Sequence, residues 1–148
     1  MSLVPNLALN KDELSDYLHE IFPQIRQDYT IDALDADSIS VRLLVGERHL
    51  RPGDTVSGPS MFALADVSVY AMVLARLGRQ ALAVTTSSSL DFLRKPSASQ
   101  DIIAEGRLLK LGRTLVVGDV LMFPDGGEHP VARATMTYSI PPDRGSAG

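Results

Sequence analysis

Residues 61–78 read MFALADVSVYAMVLARLG, and this stretch decides the fold. It contains no helix breaker before Gly78, and only a few polar side chains, chiefly Asp66, Ser68 and Arg76, interrupt its apolar surface. A helix that is apolar nearly all round must be enclosed by other elements. The stretch therefore predicts a long central helix around which the rest of the chain folds.

Strands are predicted on both sides of this helix. Upstream, residues 29–34 and 38–45 alternate apolar with polar side chains around a turn at 35–37 and predict a hairpin. Downstream, four segments have strand character, and the turn sequences KLGR and PDGG separate three of them. These segments are residues 81–93, 102–111, 113–123 and 131–139.

Two segments complete the predicted architecture. Asn10 precedes acidic residues and an apolar pattern of helical spacing, which predicts a short helix over about residues 10–22 that ends before Pro23. Residues 49–60, HLRPGDTVSGPS, are rich in Pro and Gly and predict a loop before the central helix.

The element order predicts a single α+β domain over residues 1–148, with a tail at 141–148 that should fray. An antiparallel sheet of five to six strands wrapped around one long central helix, with a short N-terminal helix, is the hotdog arrangement. The pattern alone does not separate this arrangement from other α+β folds.

The composition of the chain argues against several classes of function. The net charge of −4 provides no basic surface, so we expect neither nucleic-acid nor membrane partners. The absence of cysteine and of an N-terminal signal pattern favours the cytoplasm. His19, His49 and His129 lack ligand spacing, so we expect no metal site and no separate cofactor.

Asp66 is the first candidate for chemistry. An ionised carboxylate in an apolar helix costs several kcal/mol unless it is paired. It lies on a wet stripe of the helix, or is bonded to Arg51 or to a backbone group, or serves as a general base or nucleophile.

The start of the central helix is the second candidate. Free backbone N–H groups and the positive end of the helix dipole coincide there, which suits a polarised carbonyl oxygen. Gly58 is the expected oxyanion donor, since Pro59 has no N–H and suits the first helical position. The alternative is that Ser57 simply caps the helix with Pro59 behind it.

Gly58 and Asp66 are eight residues apart, which is roughly 12 Å along one helix. A reacting carbonyl must lie about 3 Å from both groups. If both groups act, they come from different chains, which predicts a homodimer with sites at its interface.

The sequence GDTVSGPSMFALADVSVYA resembles the signature of the PaaI-like hotdog thioesterases, part of the 4-hydroxybenzoyl-CoA thioesterase superfamily. AVTTSSSLDFLRKP is similar to the strand that follows the helix in that family, and the resemblance spans residues 41–139. By position it implies that Asp66 is the catalytic carboxylate, that the N–H of Gly58 polarises the thioester carbonyl and that Thr85 helps to hold the attacking water.

The resemblance also shows three departures. Arg51 stands at the family's Asn position, Ser57 at its His position and Pro59 at its second Gly. The guanidinium adds a charge that either pairs with Asp66 or binds an anionic substrate, and the loss of the imidazole removes a hydrogen-bonding group near the thioester.

Other residues are candidates for substrate binding. His49 precedes the loop and is a possible lining residue of the site. Four cations near strand ends suit the phosphates of coenzyme A, although solvated strand-end charges have the same appearance in a sequence: Arg94, Lys95, Lys110 and Arg113.

These observations predict hydrolysis of a small or medium acyl-CoA by a homodimer that pairs further into a tetramer. A non-catalytic hotdog protein that binds acyl-CoA or an aromatic ligand is the alternative, prompted by the lost His and Asn. A hotdog dehydratase or hydratase is disfavoured because no His lies near Asp66 in sequence.

Overall fold

The computed structural model describes residues 7–142. Within them are two α-helices, α1 (Lys11–Ile21) and α2 (Gly58–Leu77), and two short 3-10 helices, Pro23–Ile25 and Glu47–His49. The strands are β1 (Tyr29–Leu34), β2 (Ser38–Leu43), β3 (Leu50–Arg51), β4 (Thr55–Val56), β5 (Val84–Phe92), β6 (Ile102–Leu111), β7 (Leu115–Pro124) and β8 (Ala132–Ser139).

Six strands form one antiparallel sheet in the order β1-β2-β6-β7-β8-β5. Strands β1 and β5 are its edges, and β3 pairs with β4 in a separate two-stranded ribbon. The central helix α2 packs on one face of the large sheet, where it contacts β2, β6, β7, β8 and β5. The predicted hotdog architecture of five to six strands around a long helix is confirmed.

The burial of α2 follows from its composition. Eleven of its residues are buried, and β8 alternates buried with half-buried residues, as a sheet with one face on a core must. Helix α2 is long enough and apolar enough to cross a membrane, but the buried core helix of a soluble protein meets the same two criteria. Here 61% of its most apolar window is buried inside the fold, which fits the role of a core helix.

Helix α1 is held by the features that predicted it. The side chain of Asn10 accepts from the N–H of Glu13, and the Glu13 carboxylate accepts from the N–H of Asn10, which forms a capping box. Leu14, Tyr17 and Leu18 are its buried face and pack into the common core. The helix ends at Ile21, before Pro23, as expected.

Several boundaries differ from the expectation. Strand β2 ends at Leu43 and β7 begins at Leu115, each two residues inside its predicted segment. The strand expected over 81–93 begins at Val84, because backbone hydrogen bonds close a turn over residues 78–83. The expected loop at 49–60 contains the β3–β4 ribbon, whose turn uses positive φ angles at Gly53 and Asp54. Helix α2 begins at Gly58, so Pro59 is its second residue and not its first. The expected fraying tail lies outside the described residues from position 143 onward.

We expect Gly118→Ala to destabilise the protein. A Cβ on this β7 residue would lie 2.9 Å from both methyl groups of Val69 on α2, a side chain that is itself fully buried. Overpacking of this kind costs about 1–3 kcal/mol, measurable by urea unfolding at one fixed protein concentration.

Gly46→Ala is the matched control for this change. Its φ of −135° suits any residue, and a new Cβ would meet nothing closer than 3.9 Å. Equal unfolding free energies for both variants would contradict this prediction, because β7 and α2 would then accommodate the extra methyl group without loss of stability.

Candidate functional site

The Asp66 carboxylate is fixed by two hydroxyl groups from neighbouring strands. The Thr85 hydroxyl donates to Asp66 Oδ1 over 2.5 Å, and the Tyr138 hydroxyl donates to the same oxygen over 2.7 Å. Tyr138 also lies 3.1 Å from the Asp66 carbonyl oxygen. Asp66 Oδ2 makes no hydrogen bond to any described residue, so it is the oxygen left for an external molecule.

The sheet register brings these donors together. Thr85 on β5 is the direct partner of Tyr138 on β8, and a bulge follows between Thr85 and Ser87. Because α2 crosses this end of both strands, one helical position receives a hydroxyl from each. Asp66 and Tyr138 are 72 residues apart in the sequence, so no local sequence pattern predicts this contact.

A cavity of about 400 Å³ opens beside the carboxylate. Aromatic rings form much of its wall: Tyr70 stacks on Tyr138 with centroids 5.8 Å apart, and Phe22 meets Tyr70 edge-on at 6.5 Å. The Tyr70 hydroxyl is bonded to the carbonyl of Ala81. The full lining is Phe22, Asp66, Val67, Tyr70, Ala83, Val84, Thr85 and Tyr138.

The surroundings of Tyr138 keep its phenol protonated. Burial, followed by the negative charge of Asp66, raises the pKa of the Tyr138 phenol far above its usual range. Tyr138 therefore stays protonated at any pH at which the protein would be assayed and remains a hydrogen-bond donor to the carboxylate.

The start of α2 has the geometry of an anion site. The Ser57 hydroxyl accepts from the N–H of Ser60 at 3.2 Å and donates to the Ser60 hydroxyl at 2.9 Å, so the predicted N-cap is present. The N–H of Gly58 donates to no described residue. The ring of Phe92 lies over Gly58, since a Cβ at Gly58 would come within 3.2 Å of it.

The two parts of the expected site are separate within one chain. Thr85, beside Asp66, lies near the beginning of β5, whereas Phe92, beside Gly58, ends the same strand. Both Gly58 and Asp66 lie on α2, eight residues apart, which is roughly 12 Å along the helix axis. The structure of a single chain therefore does not bring Gly58 to Asp66.

Arg51 and His49 lie in the segment before α2, away from the Asp66 cavity. Arg51 is exposed on β3, and its side chain makes no hydrogen bond or ion pair within the described residues. His49 is buried, and its Nδ1 accepts from the N–H of Gly46. Its Nε2 lies 3.3 Å from Asp28 Oδ1, but the orientation is too poor for a hydrogen bond.

The four predicted phosphate-binding cations are exposed and fall into two groups. Arg94, whose guanidinium donates to the carbonyl of Pro130 over 2.7 Å, and Lys95 follow β5 at the Gly58 end. Lys110 and Arg113 lie at the β6–β7 turn, beyond the other end of β5. None of the four lines the Asp66 cavity.

Sequence reasoning missed the aromatic part of the site. Tyr138 was recognised only as part of a strand, and Tyr70 and Phe22 only as apolar residues of helices. Alternation in β8 already places Tyr138 on the core side, and a tyrosine buried there needs a hydrogen-bond partner. The described residues contain no group of three or more His, Cys, Asp or Glu that could hold a metal ion.

The fold and the site define a class of protein: a hotdog domain with a hydroxyl-bonded carboxylate on its central helix. A family model described as the thioesterase superfamily matches residues 53–131. The crystal structure of a candidate thioesterase from Silicibacter sp. TM1040 is similar over 93% of this chain and 95% of its own, with 67% identity and a TM-score of 0.88. The chain belongs to the thioesterase superfamily and is a thioester hydrolase, as its resemblance to the family implied.

More distant solved structures share the fold. A hypothetical thioesterase from Streptococcus pneumoniae, solved with coenzyme A, has 23% identity and a TM-score of 0.73, covering 86% of this chain and 96% of its own. A mutant of the phenylacetic acid degradation protein PaaI from Thermus thermophilus has 23% identity and a TM-score of 0.69, covering 80% and 99%. A search of proteins with curated functions found no match.

Proposed function

We propose that this chain hydrolyses acyl-CoA thioesters with small or medium acyl groups, with Asp66 as general base or nucleophile. The observation that carries the proposal is the asymmetric carboxylate: Oδ1 receives two hydroxyl donors, while Oδ2 is free beside a cavity of about 400 Å³. A cavity of that size holds a small organic group. The coenzyme A bound to the S. pneumoniae relative supports the choice of thioester.

The chemistry assigns a role to each group. As a base, Asp66 Oδ2 takes a proton from water while the water oxygen bonds to the thioester carbon; as a nucleophile, Oδ2 itself forms that bond. The carbonyl oxygen gains negative charge, and the N–H of Gly58 stabilises it at the start of α2. The C–S bond then breaks and the thiolate of coenzyme A leaves. On the base route the thiolate takes up the proton that Asp66 removed from water; on the nucleophilic route a water molecule hydrolyses the acyl–Asp66 anhydride, which releases the acid, restores the carboxylate and supplies the proton for the thiolate.

Thr85 and Tyr138 position the carboxylate in this mechanism. Both donate to Oδ1, so the plane of the carboxylate is fixed and Oδ2 needs no rearrangement when the substrate arrives. In this proposal Thr85, which is half-buried on β5, also accepts a hydrogen bond from the attacking water, the role that the family resemblance implied.

A homodimer through β5 completes the site. This strand is a sheet edge with most of its residues exposed, and apolar side chains cluster near it: Leu82, Val84, Phe92 and Leu93. Exposed edges and apolar patches of this kind are usually covered by association. Antiparallel pairing of β5 with its copy about a two-fold axis would place the end of one strand beside the beginning of the other, and thus Gly58 of the partner chain near Asp66.

The same pairing of β5 strands would give Arg94 and Lys95 a role in substrate binding. Arg94 and Lys95 follow the end of β5, so the dimer would carry them from the partner toward the Asp66 cavity, where they suit the phosphates of coenzyme A. Two such dimers would form the proposed tetramer, and the setting we propose is the cytoplasm.

Asp66→Asn should lower kcat by at least about 10²-fold, because the amide cannot take a proton from water or attack a carbonyl. Its amide oxygen can still accept from Thr85 and Tyr138, so folding and the affinity for a non-hydrolysable acyl-CoA analogue should be kept. Release of free thiol from a panel of acyl-CoAs measures the rate. Asp12→Asn, on the exposed first turn of α1, is the charge-matched control, and wild-type turnover by Asp66→Asn would refute the mechanism.

Tyr138→Phe should lower kcat by about ten-fold while the protein stays folded. The Asp66 carboxylate then loses one of the two donors that fix its plane, and one hydrogen bond is worth about 1–2 kcal/mol. Tyr70→Phe, which removes a hydroxyl of the same cavity that does not touch Asp66, should keep the wild-type kcat. A wild-type kcat in folded Tyr138→Phe would mean that the tyrosine is structural only.

The shared site can be tested by mixing two inactive variants. Gly58→Pro removes the proposed donor N–H at a position where proline suits the helix and where Ser57 is already extended at ψ 155°, whereas Gly58→Ala keeps the N–H. Mixed after reversible dissociation, Gly58→Pro and Asp66→Asn should recover up to about one quarter of the wild-type rate, because a heterodimer then contains one intact site. No recovery in a mixture shown to contain heterodimers would place both groups in one chain.

A further inference from the structure

His49 is a buried polar residue that the proposed mechanism does not use. It lies in the segment before α2, and only 6% of the residue is exposed. In the described residues, its Nε2 is the one buried side-chain nitrogen or oxygen atom without a hydrogen-bond partner. A buried donor without a partner destabilises a fold, so a residue of this kind calls for a physical explanation.

The His49 ring closes a turn with Gly46. Its Nδ1 accepts from the Gly46 N–H at 2.9 Å, and the Gly46 carbonyl oxygen accepts from the His49 N–H at 2.9 Å. Because Nδ1 is an acceptor, the ring proton is on Nε2, which lies 3.3 Å from Asp28 Oδ1. The unpaired donor therefore follows from the use of the other ring nitrogen as an acceptor for the backbone.

Asp28 holds the same turn to the rest of the fold. Its carbonyl oxygen accepts from the N–H of Leu44 over 2.7 Å, and its carboxylate forms an ion pair with Arg48. Leu44 precedes the Gly46–His49 turn, and Arg48 lies within it. Since Asp28 directly precedes β1, the turn is attached to the first strand of the large sheet.

The backbone of His49 connects this turn to the start of α2. Its carbonyl oxygen accepts from the N–H of Ser57 over 2.8 Å, next to the β3–β4 ladder. Ser57 is the N-cap of α2, and its hydroxyl is bonded to Ser60. The next peptide carries the N–H of Gly58, so a displacement of His49 would move the proposed oxyanion donor.

We propose that His49 is a positioning residue for thioester hydrolysis: its ring fixes the turn that aims the N–H of Gly58 at the thioester oxygen. The inference rests on the proposed function, because Gly58 is the oxyanion donor only in that mechanism. His49 itself does not touch the substrate. Negative charge on the carbonyl oxygen develops on the way to the transition state, so a misplaced donor lowers kcat and leaves KM nearly unchanged.

Two replacements of His49 separate its acceptor from the rest of the imidazole. His49→Leu removes Nδ1, whereas the carboxamide oxygen of His49→Asn can still accept from the N–H of Gly46. His49→Leu should lower kcat about ten-fold with KM within about two-fold of wild type, the loss that corresponds to one hydrogen bond. His49→Asn should keep kcat within about three-fold of wild type. His49→Met replaces His49→Leu if that variant does not fold, and a wild-type kcat in the folded variant would overturn the proposal.

Mixed dimers show which half of the site His49 serves. In the proposed dimer, Gly58 and Asp66 of one site come from different chains, so His49→Leu should impair only the Gly58 half. Equimolar His49→Leu and Asp66→Asn, mixed after reversible dissociation, should rise from about one twentieth to about one quarter of the wild-type rate, because each heterodimer contains one intact site. His49→Leu mixed with Gly58→Pro should show no rise.

The mixture of Gly58→Pro with Asp66→Asn is the reference that should recover. Against that reference, a rise only when His49→Leu is mixed with Gly58→Pro would place the damage at the Asp66 half. A rise in neither mixture would mean that the damage extends through the chain. Either result would overturn the positioning role.

Amide hydrogen exchange tests the same link without any turnover. The N–H of Ser57, bonded to the His49 carbonyl, should exchange at least about ten-fold faster in His49→Leu than in wild type or His49→Asn. The N–H of Ile140, bonded to the carbonyl of Thr114 at the β6–β7 turn, is the control and should not change.

The exchange rates separate this proposal from the one on which it rests. If the wild type hydrolyses no acyl-CoA, the proposed function fails, while the exchange rate of Ser57 still decides whether His49 holds the start of α2. If the wild type hydrolyses acyl-CoA and the exchange of Ser57 is unchanged in His49→Leu, the function stands and the positioning role is wrong.

Discussion

The Asp66 carboxylate, in the middle of a largely apolar helix, sets the requirements of this structure. Helix α2 is buried because nearly every residue on it is apolar, yet Asp66 lies within it. A carboxylate in that environment needs donors, and the protein supplies two hydroxyls, from Thr85 and Tyr138. Both act on Oδ1 because both strands reach the helix from the same end of the sheet. The asymmetry that follows leaves Oδ2 without a hydrogen-bond partner in the described residues and open to an external molecule.

The strand that supplies Thr85 is also an edge of the sheet. Strand β5 delivers Thr85 to Asp66 and, within the described residues, pairs with β8 on one side while its other side is open. Its exposed edge and the apolar side chains around it leave a monomer with a surface of the kind that association usually covers. The strand that supplies a hydrogen-bond donor to Asp66 is thus also the edge at which a second chain would bring Gly58 to the carboxylate.

The sequence predicted most of the fold because the signals were local. The apolar run of α2, the capping pattern at Asn10 and the turn residues at 124–127 are each contained in a short window, and the structure has an element or turn at each place. The β3–β4 ribbon was missed because strands of two residues leave no periodicity. Asp66, Gly58 and Thr85 could be named from the motif, whereas Tyr138 could not, since its contact depends on strand register across 72 residues.

The departures from the family motif have a consistent physical consequence. The Ser57 hydroxyl is engaged with Ser60 as the cap of α2, so it is already committed within the helix start. In the described residues the N–H of Gly58 has no partner, and Pro59 has no N–H. Arg51 is not needed to neutralise Asp66 within the chain, because two neutral hydroxyls already hold that carboxylate. Its guanidinium, exposed on β3 just before α2, thus adds positive charge near a helix end that is already positive, a placement that favours an anion from outside the chain.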